Sequence, residues 1–228
     1  MNYALPLWPQ PSLPIVGSSA RFPVRRIFCV GRNYAEHIRE MGGDPDREAP
    51  FFFMKPADSL AQDGAQVPYP PGTSDLHHEV ELVLAIGGGG RDIAPEDAAG
   101  QLFGQAVGID LTRRDLQGEA KKTRRPWEVG KAFEQAAPCG PITPIEQVAL
   151  LERGAIRLRV GDQTRQAGDL GQMIWSSPEI VSHLSRLFTL KPGDLIFTGT
   201  PDGVGPVGPG ERLRAEVEGL APLIVEIT

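Results

Sequence analysis

The chain has 228 residues, enough for one generous domain or two small ones, with 23 Lys and Arg against 29 Asp and Glu and a formal net charge of −6. That acidic balance argues against a nucleic-acid or anionic-membrane partner, and 40% hydrophobic with 7% aromatic residues is an ordinary globular composition. No apolar run reaches the length of a membrane span, the start MNYALPLWPQP lacks the basic head and apolar centre of a signal peptide, and two cysteines make no disulfide framework, so a cytoplasmic protein is expected.

Residues 1–22 carry Pro6, Pro9, Pro11 and Pro14 with little periodicity and read as an extended arm, leaving 23–228 as a single domain. RRIFCVG (25–31) reads as a strand, with Cys29 as a small buried thiol. NYAEHIREMGG then reads as a short helix with Asn33 as N-cap and Gly42 as stop. PFFFMKP (50–56) is a second apolar run closed by Lys55. DLHHEVELVLAIG (75–87) is a strand that ends in the glycine turn 87–90, which lacks the ending of a phosphate loop. APEDAAGQLFG (94–104) reads as a short helix, QAVGID (105–110) as a strand ending on Asp110, and TRRDLQGEAKK (112–122) as a helix running into the basic tract KKTRR. IRLRVGDQTRQ (156–166) alternates around a Gly-Asp turn and reads as a hairpin. SPEIVSHLSRLF (177–188) is the strongest helix, with Ser177 to cap it and Ile180, Val181, Leu184, Leu187 and Phe188 on one stripe. DLIFTG, RLRAEVE (212–218) and APLIVEIT supply the last strands. Short strands with few helices and no βαβ rhythm point to an α+β, mainly β, fold.

The acidic residues raise the chemical question. Strand alternation puts Glu79 and Glu81 on one side with Val83 and Ala85, and Val80, Leu82, Leu84 and Ile86 on the other. Taken alone, the pair is a wet face of an amphipathic strand. Asp110 weakens that reading, because core packing does not explain an acid closing AVGID and a buried carboxylate needs a counter-charge, hydrogen bonds or a metal. Glu-x-Glu sets two carboxylates roughly 6–7 Å apart on one face, within reach of one cation. Oxygen-only ligands suit Mg²⁺ or Mn²⁺. His77 and His78 would pull the choice toward zinc or iron, but read as turn or core histidines bonded to backbone.

On the NYAEHIREMGG helix, His37 and Glu40 are three residues apart and so are neighbours. They could be a general-base pair, the acid orienting the imidazole, or an ordinary surface pairing. A helix of two turns is marginal by itself and fits a lid that orders over a ligand. Lys131 stands isolated in VGKAFE and Lys55 ends a strand of phenylalanines. Three carboxylates around one divalent ion leave net negative charge, so an anionic substrate needs such cations nearby; structural ion pairs are the alternative. KKTRR is most simply a solvated face.

CVGRNYAEHIREMG, FMKP, HHEVEL, GIDLTRRDLQ, PWEVGKAF and DLIFTGTPDGVGP, in this order and spacing, resemble the fumarylacetoacetate hydrolase family, most closely its short single-domain acylpyruvase and fumarylpyruvate hydrolase branch. The resemblance runs from about residue 25 to the C-terminus. It implies a mixed β-sandwich roll with short helices, a homodimer, and Mg²⁺ or Mn²⁺ held by Glu79, Glu81 and Asp110. It implies that His37 and Glu40 on a lid helix activate water, and that Lys131, Gln117 and Thr200 face the substrate, with Arg32, Lys55 and Arg114 at other polar positions near the site. The implied activity is hydrolysis of the C–C bond of a 2,4-dioxo acid, most closely fumarylpyruvate from gentisate-type aromatic breakdown. The same site could decarboxylate oxaloacetate or isomerise a related oxo acid. A non-enzymatic metal- or nucleic-acid-binding protein built on KKTRR is the remaining class, and it would show steeply salt-dependent binding with no turnover.

Overall fold

A computed structural model describes residues 2–34 and 48–228 of the chain. Its frame is an eight-stranded mixed sheet. Along the main path the strands run Phe51–Lys55, Arg26–Gly31, Asp194–Phe197, Val80–Ile86, Leu102–Ile109, Ala137–Cys139 and Leu60–Gln62, with Thr143–Pro144 also paired to Leu102–Ile109. Arg26–Gly31 and Asp194–Phe197 pair in parallel, as do Ala137–Cys139 and Leu60–Gln62; the other neighbours are antiparallel. A five-stranded sheet, Gln163–Asp169, Ala155–Val160, Arg212–Val217, Leu223–Ile227 and Gln66–Val67, packs against it. The fold is mainly β with short helices, as the sequence led us to expect.

Every residue of Val80–Ile86 is buried, because both sheet faces are covered. Val80, Leu82, Leu84 and Ile86 join Leu158, Leu213, Val225 and Ile227 of the second sheet and Ile180, Val181 and Leu184 of the helix Ser177–Leu187 in one core. Val83 and Ala85 join Ile27, Cys29, Leu195 and Phe197 in another. That second core is closed by Leu13 and Phe22, which sit on the paired strands Ser12–Pro14 and Arg21–Pro23 within the proline-rich arm. The wet face that Glu79 and Glu81 suggest when taken alone is therefore absent, the two glutamates being buried as well. Gly108 permits the close packing here: a Cβ would stand 2.5 Å from Val83 Cγ2 and 2.6 Å from Phe197 Cε1.

Several local expectations shift. The stretch 94–104 forms two 3₁₀ turns, Pro95–Asp97 and Ala99–Gln101, before the strand begins at Leu102. The helix Ser177–Leu187 is capped by Ser176, whose hydroxyl and amide both donate to Glu179, not by Ser177. Asn33 spends its side chain on other loops: its amide donates to the Trp175 and Thr198 carbonyls and its Oδ1 accepts from Trp175 N–H. Tyr34 is buried and forms an isolated antiparallel bridge with Met173, and residues 35–43 of the expected helix lie outside the described residues.

Candidate active site

Two adjacent strand ends build the acidic cluster. Glu79 lies at the break between Leu76–His78 and Val80–Ile86, Glu81 follows inside the strand, and Asp110 comes directly after the neighbouring strand Leu102–Ile109. Antiparallel register sets Val80 against Ile109 and Glu81 against Gly108, and Asp110 N–H donates to the Glu79 carbonyl at 2.8 Å. The three carboxylates are 6%, 2% and 1% exposed, and an oxygen from each lies within 4.8 Å of the others. Among the described residues, this is the one such grouping of potential metal ligands.

Cations balance this charge. Lys131 Nζ donates to Glu79 Oε2 at 2.8 Å and to Asp110 Oδ2 at 2.6 Å. Arg114 donates to Glu79 Oε1 at 2.5 Å and to Gln117 Oε1 at 2.6 Å. Lys55 Nζ pairs with Asp110 Oδ1 at 2.8 Å and also donates to the Leu111 and Lys131 carbonyls. Glu81 differs from its neighbours, accepting from Gly199 N–H at 2.7 Å. Gly199 has φ +100°, and a Cβ there would meet Asn33 Cβ at 2.7 Å, so this donor position demands glycine.

The electrostatics follow. Burial, then Asp110 and Glu79, push the Glu81 carboxyl well above the usual carboxylate range. Burial opposes charge on Lys131, but Asp110 and Glu79 outweigh it and hold its pKa above the ordinary lysine value. Lys131 is thus a fixed cation, not a base. A divalent cation fits the donor set: all oxygens are hard, and positive charge is what Glu81 lacks most. Asp110 Oδ1, although ion-paired with Lys55, accepts no well-angled hydrogen bond.

The cleft over these carboxylates is lined by Arg32, Arg114, Gln117, Lys131 and Thr200 as well, with Phe53 and Trp127 as an aromatic wall. Five of the six residues expected toward the substrate therefore converge here. Lys55 lies behind Asp110 and does not line the cleft. His37 and Glu40 lie outside the described residues.

The two histidines stand apart from the acidic cluster, and their partners are side chains, not the backbone we expected. His77 accepts from Arg114 Nε at 3.3 Å through Nδ1 and pairs with Asp75 through Nε2 at 2.8 Å. His78 Nδ1 pairs with Gln166 Oε1 at 2.9 Å. Burial lowers both pKa values, with Arg114 adding to the effect at His77. Gln166 was not visible as a site residue: its Oε1 also accepts from Val80 N–H at 3.0 Å, and its Nε2 donates to Thr200 Oγ1 at 2.8 Å and the Pro201 carbonyl at 2.9 Å. It ties the loop bearing Thr200 to the strand bearing the glutamates.

Lys121 was likewise missed, having been read as part of a solvated face; it lines the cleft, with Nζ 4.9 Å from the Trp127 ring centre. The i, i+3, i+7 spacing of Arg114, Gln117 and Lys121 was the available signal.

The chain is similar along most of its length to known proteins. The model of the fumarylacetoacetate (FAA) hydrolase C-terminal family matches residues 26–228. A fumarylpyruvate hydrolase of Ralstonia sp is 44% identical over 184 residues, 81% of this chain and 95% of that protein. A mitochondrial oxaloacetate decarboxylase of Dictyostelium discoideum is 41% identical over 86% of this chain and 90% of its own. The crystal structure of fumarylpyruvate hydrolase from Pseudomonas aeruginosa in complex with Mn²⁺ and pyruvate superposes with a TM-score of 0.98 at 51% identity, covering 100% of this chain and 99% of that one.

Proposed function

The chain belongs to the fumarylacetoacetate hydrolase family, and from that premise we propose that it is a metal-dependent hydrolase of a 2,4-dioxo acid, converting fumarylpyruvate to fumarate and pyruvate in aromatic-ring breakdown. The observation that carries the reading is the buried Glu79, Glu81 and Asp110 cluster faced by the Lys131 ammonium inside one cleft.

Glu79, Glu81 and Asp110 would hold Mg²⁺ or Mn²⁺, which when bound supplies a Lewis acid for the substrate's carboxylate and 2-oxo oxygens. Glu79 and Asp110 are neutralised by Lys131, Arg114 and Lys55 already, so the added ion leaves the cleft electropositive and suited to an oxo-acid anion. Arg114 and Gln117 orient the carboxylate, and Thr200, held by Gln166, borders the reacting carbons. His37 takes a proton from the water that attacks C4, and Glu40 orients its imidazole. The C3–C4 bond breaks, its electron pair passing into the departing enolate of pyruvate, and Lys131 stabilises the oxygen that gains charge. Protonation at C3 then gives pyruvate. Lys55 supports Asp110 from behind, without touching substrate.

We take 23–228 as the single catalytic domain, with the paired strands Ser12–Pro14 and Arg21–Pro23 packed onto it, and propose a cytoplasmic homodimer; among the described residues no helix is long and apolar enough to cross a membrane. A second reading draws on the oxaloacetate decarboxylase relative and on a 39% identical oxaloacetate tautomerase of Bos taurus. Those reactions use the same enolate chemistry without activated water. His37→Ala distinguishes them: it abolishes acylpyruvate hydrolysis while any oxaloacetate decarboxylation persists. Equal loss of both activities contradicts the role of His37.

A further inference from the structure

Arg32 and Lys121 line the cleft beside the cations that pair with two of its three carboxylates. Helix Arg114–Thr123 turns Arg114, Gln117 and Lys121 toward it from one face. Arg114 ends on Glu79, at the acidic cluster. Lys121 follows two turns later, about 10 Å along the axis from Arg114. Its ammonium lies against Trp127, which also forms part of the cleft wall. Arg32, from the turn after strand Arg26–Gly31, lines the same cleft with a left-handed backbone at φ 61°. Burial, then the like charges of Arg114 and Arg32, pull the Lys121 pKa down to about 8, with Glu79 opposing and Lys131 adding to the shift. Cations crowded at a cleft against their mutual repulsion form an anion-recognition site.

We propose that Lys121, with Arg32, holds a second carboxylate at the acyl end of the substrate and sets selectivity for dicarboxylic over neutral acylpyruvates. The proposal rests on the hydrolase reading above and deepens it. A 2,4-dioxo acid spends its own carboxylate and 2-oxo group at the acidic cluster, so its acyl chain points away along the helix. A fumaryl group carries a terminal carboxylate on a rigid trans alkene, and Lys121, on the cleft wall beside Trp127, is placed to meet it. An acetyl group offers nothing there. The first lysine of the basic tract thus serves the substrate's far end.

The test uses the Mn²⁺-loaded full-length enzyme with fumarylpyruvate and acetylpyruvate as paired substrates. In Lys121→Met the ratio of the two kcat/KM values falls about 10- to 100-fold, through KM for fumarylpyruvate, as expected for losing one charge-assisted contact. Lys121→Arg keeps the ratio within about threefold of wild type, and thermal melting of both variants reports on folding. A ratio unchanged in Lys121→Met, or equal loss on both substrates with Lys121→Arg no better, overturns the proposal alone. Wild-type enzyme that hydrolyses neither acylpyruvate overturns the hydrolase reading together with it.

Discussion

Lys131 Nζ stands 2.6 Å from Asp110 Oδ2, a buried cation pressed against the acid that closes a neighbouring strand. The same ammonium reaches Glu79, so one lysine spans two of the three carboxylates. Removing it separates charge stabilisation from metal binding. Lys131→Met should lower kcat at least about 100-fold, in the range of losing one oxyanion donor. Mn²⁺ affinity, by calorimetric titration, should hold or rise, because a competing cation is gone.

Asp110 balances Lys55 as well as Lys131. Asp110→Asn leaves the Lys55 ammonium with the Leu111 and Lys131 carbonyls in a fully buried position. We expect a loss of about 3 kcal/mol in urea unfolding, the scale for breaking a buried ion pair. Lys55→Met in the same chain should recover part of it.

Metal affinity should depend on pH through Glu81. Its folded pKa lies well above the ordinary value in the metal-free site, from burial first and then Asp110 and Glu79. A raised carboxyl pKa means the group takes up a proton at higher pH than usual, and the metal must displace that proton. Apparent Mn²⁺ affinity should therefore begin to fall as pH drops while free carboxylates are still ionised. In stability terms the raised pKa makes the ionised form unfavourable in the folded state, so protonation on acidification stabilises the metal-free protein locally. Mn²⁺ titrations across pH, repeated with Glu81→Gln, measure the effect: the variant should bind far more weakly and lose the Glu81-dependent part of the pH response.

Gln166 carries the support of the site. Gln166→Leu strands His78 Nδ1 and the Val80 amide in a buried pocket and frees Thr200. A stability cost of about 2–3 kcal/mol is expected from the unsatisfied donors, with a rise in KM as the Thr200 loop loses its tether. A variant that melts like wild type would contradict this account of the loop.

Much of this site was legible before the fold was known, and what escaped did so for physical reasons. Strand alternation put Glu79 and Glu81 on one side correctly, and the abrupt end of AVGID marked Asp110. Alternation could not tell that the same side would be covered by Leu13 and Phe22 from the proline-rich arm, since that contact joins residues far apart in sequence. Nor could it show that the Lys55 side chain runs under Asp110 toward the Leu111 carbonyl. Gln166 and Thr200 meet across 34 positions through tertiary packing alone. Lys121 is the instructive case: charge clustering suggested a solvated face, while the helical spacing from Arg114 pointed inward.

The central claim is that the Glu79, Glu81 and Asp110 cluster serves hydrolysis of an acylpyruvate. The most direct measurement follows the enol absorbance of fumarylpyruvate with purified enzyme, with Mg²⁺ or Mn²⁺ and again after chelation, with fumarate and pyruvate quantified at the end. The account predicts rapid, metal-dependent loss of absorbance and the two products in equal amounts. Stable absorbance in the presence of either metal, while oxaloacetate is consumed under the same conditions, would contradict it.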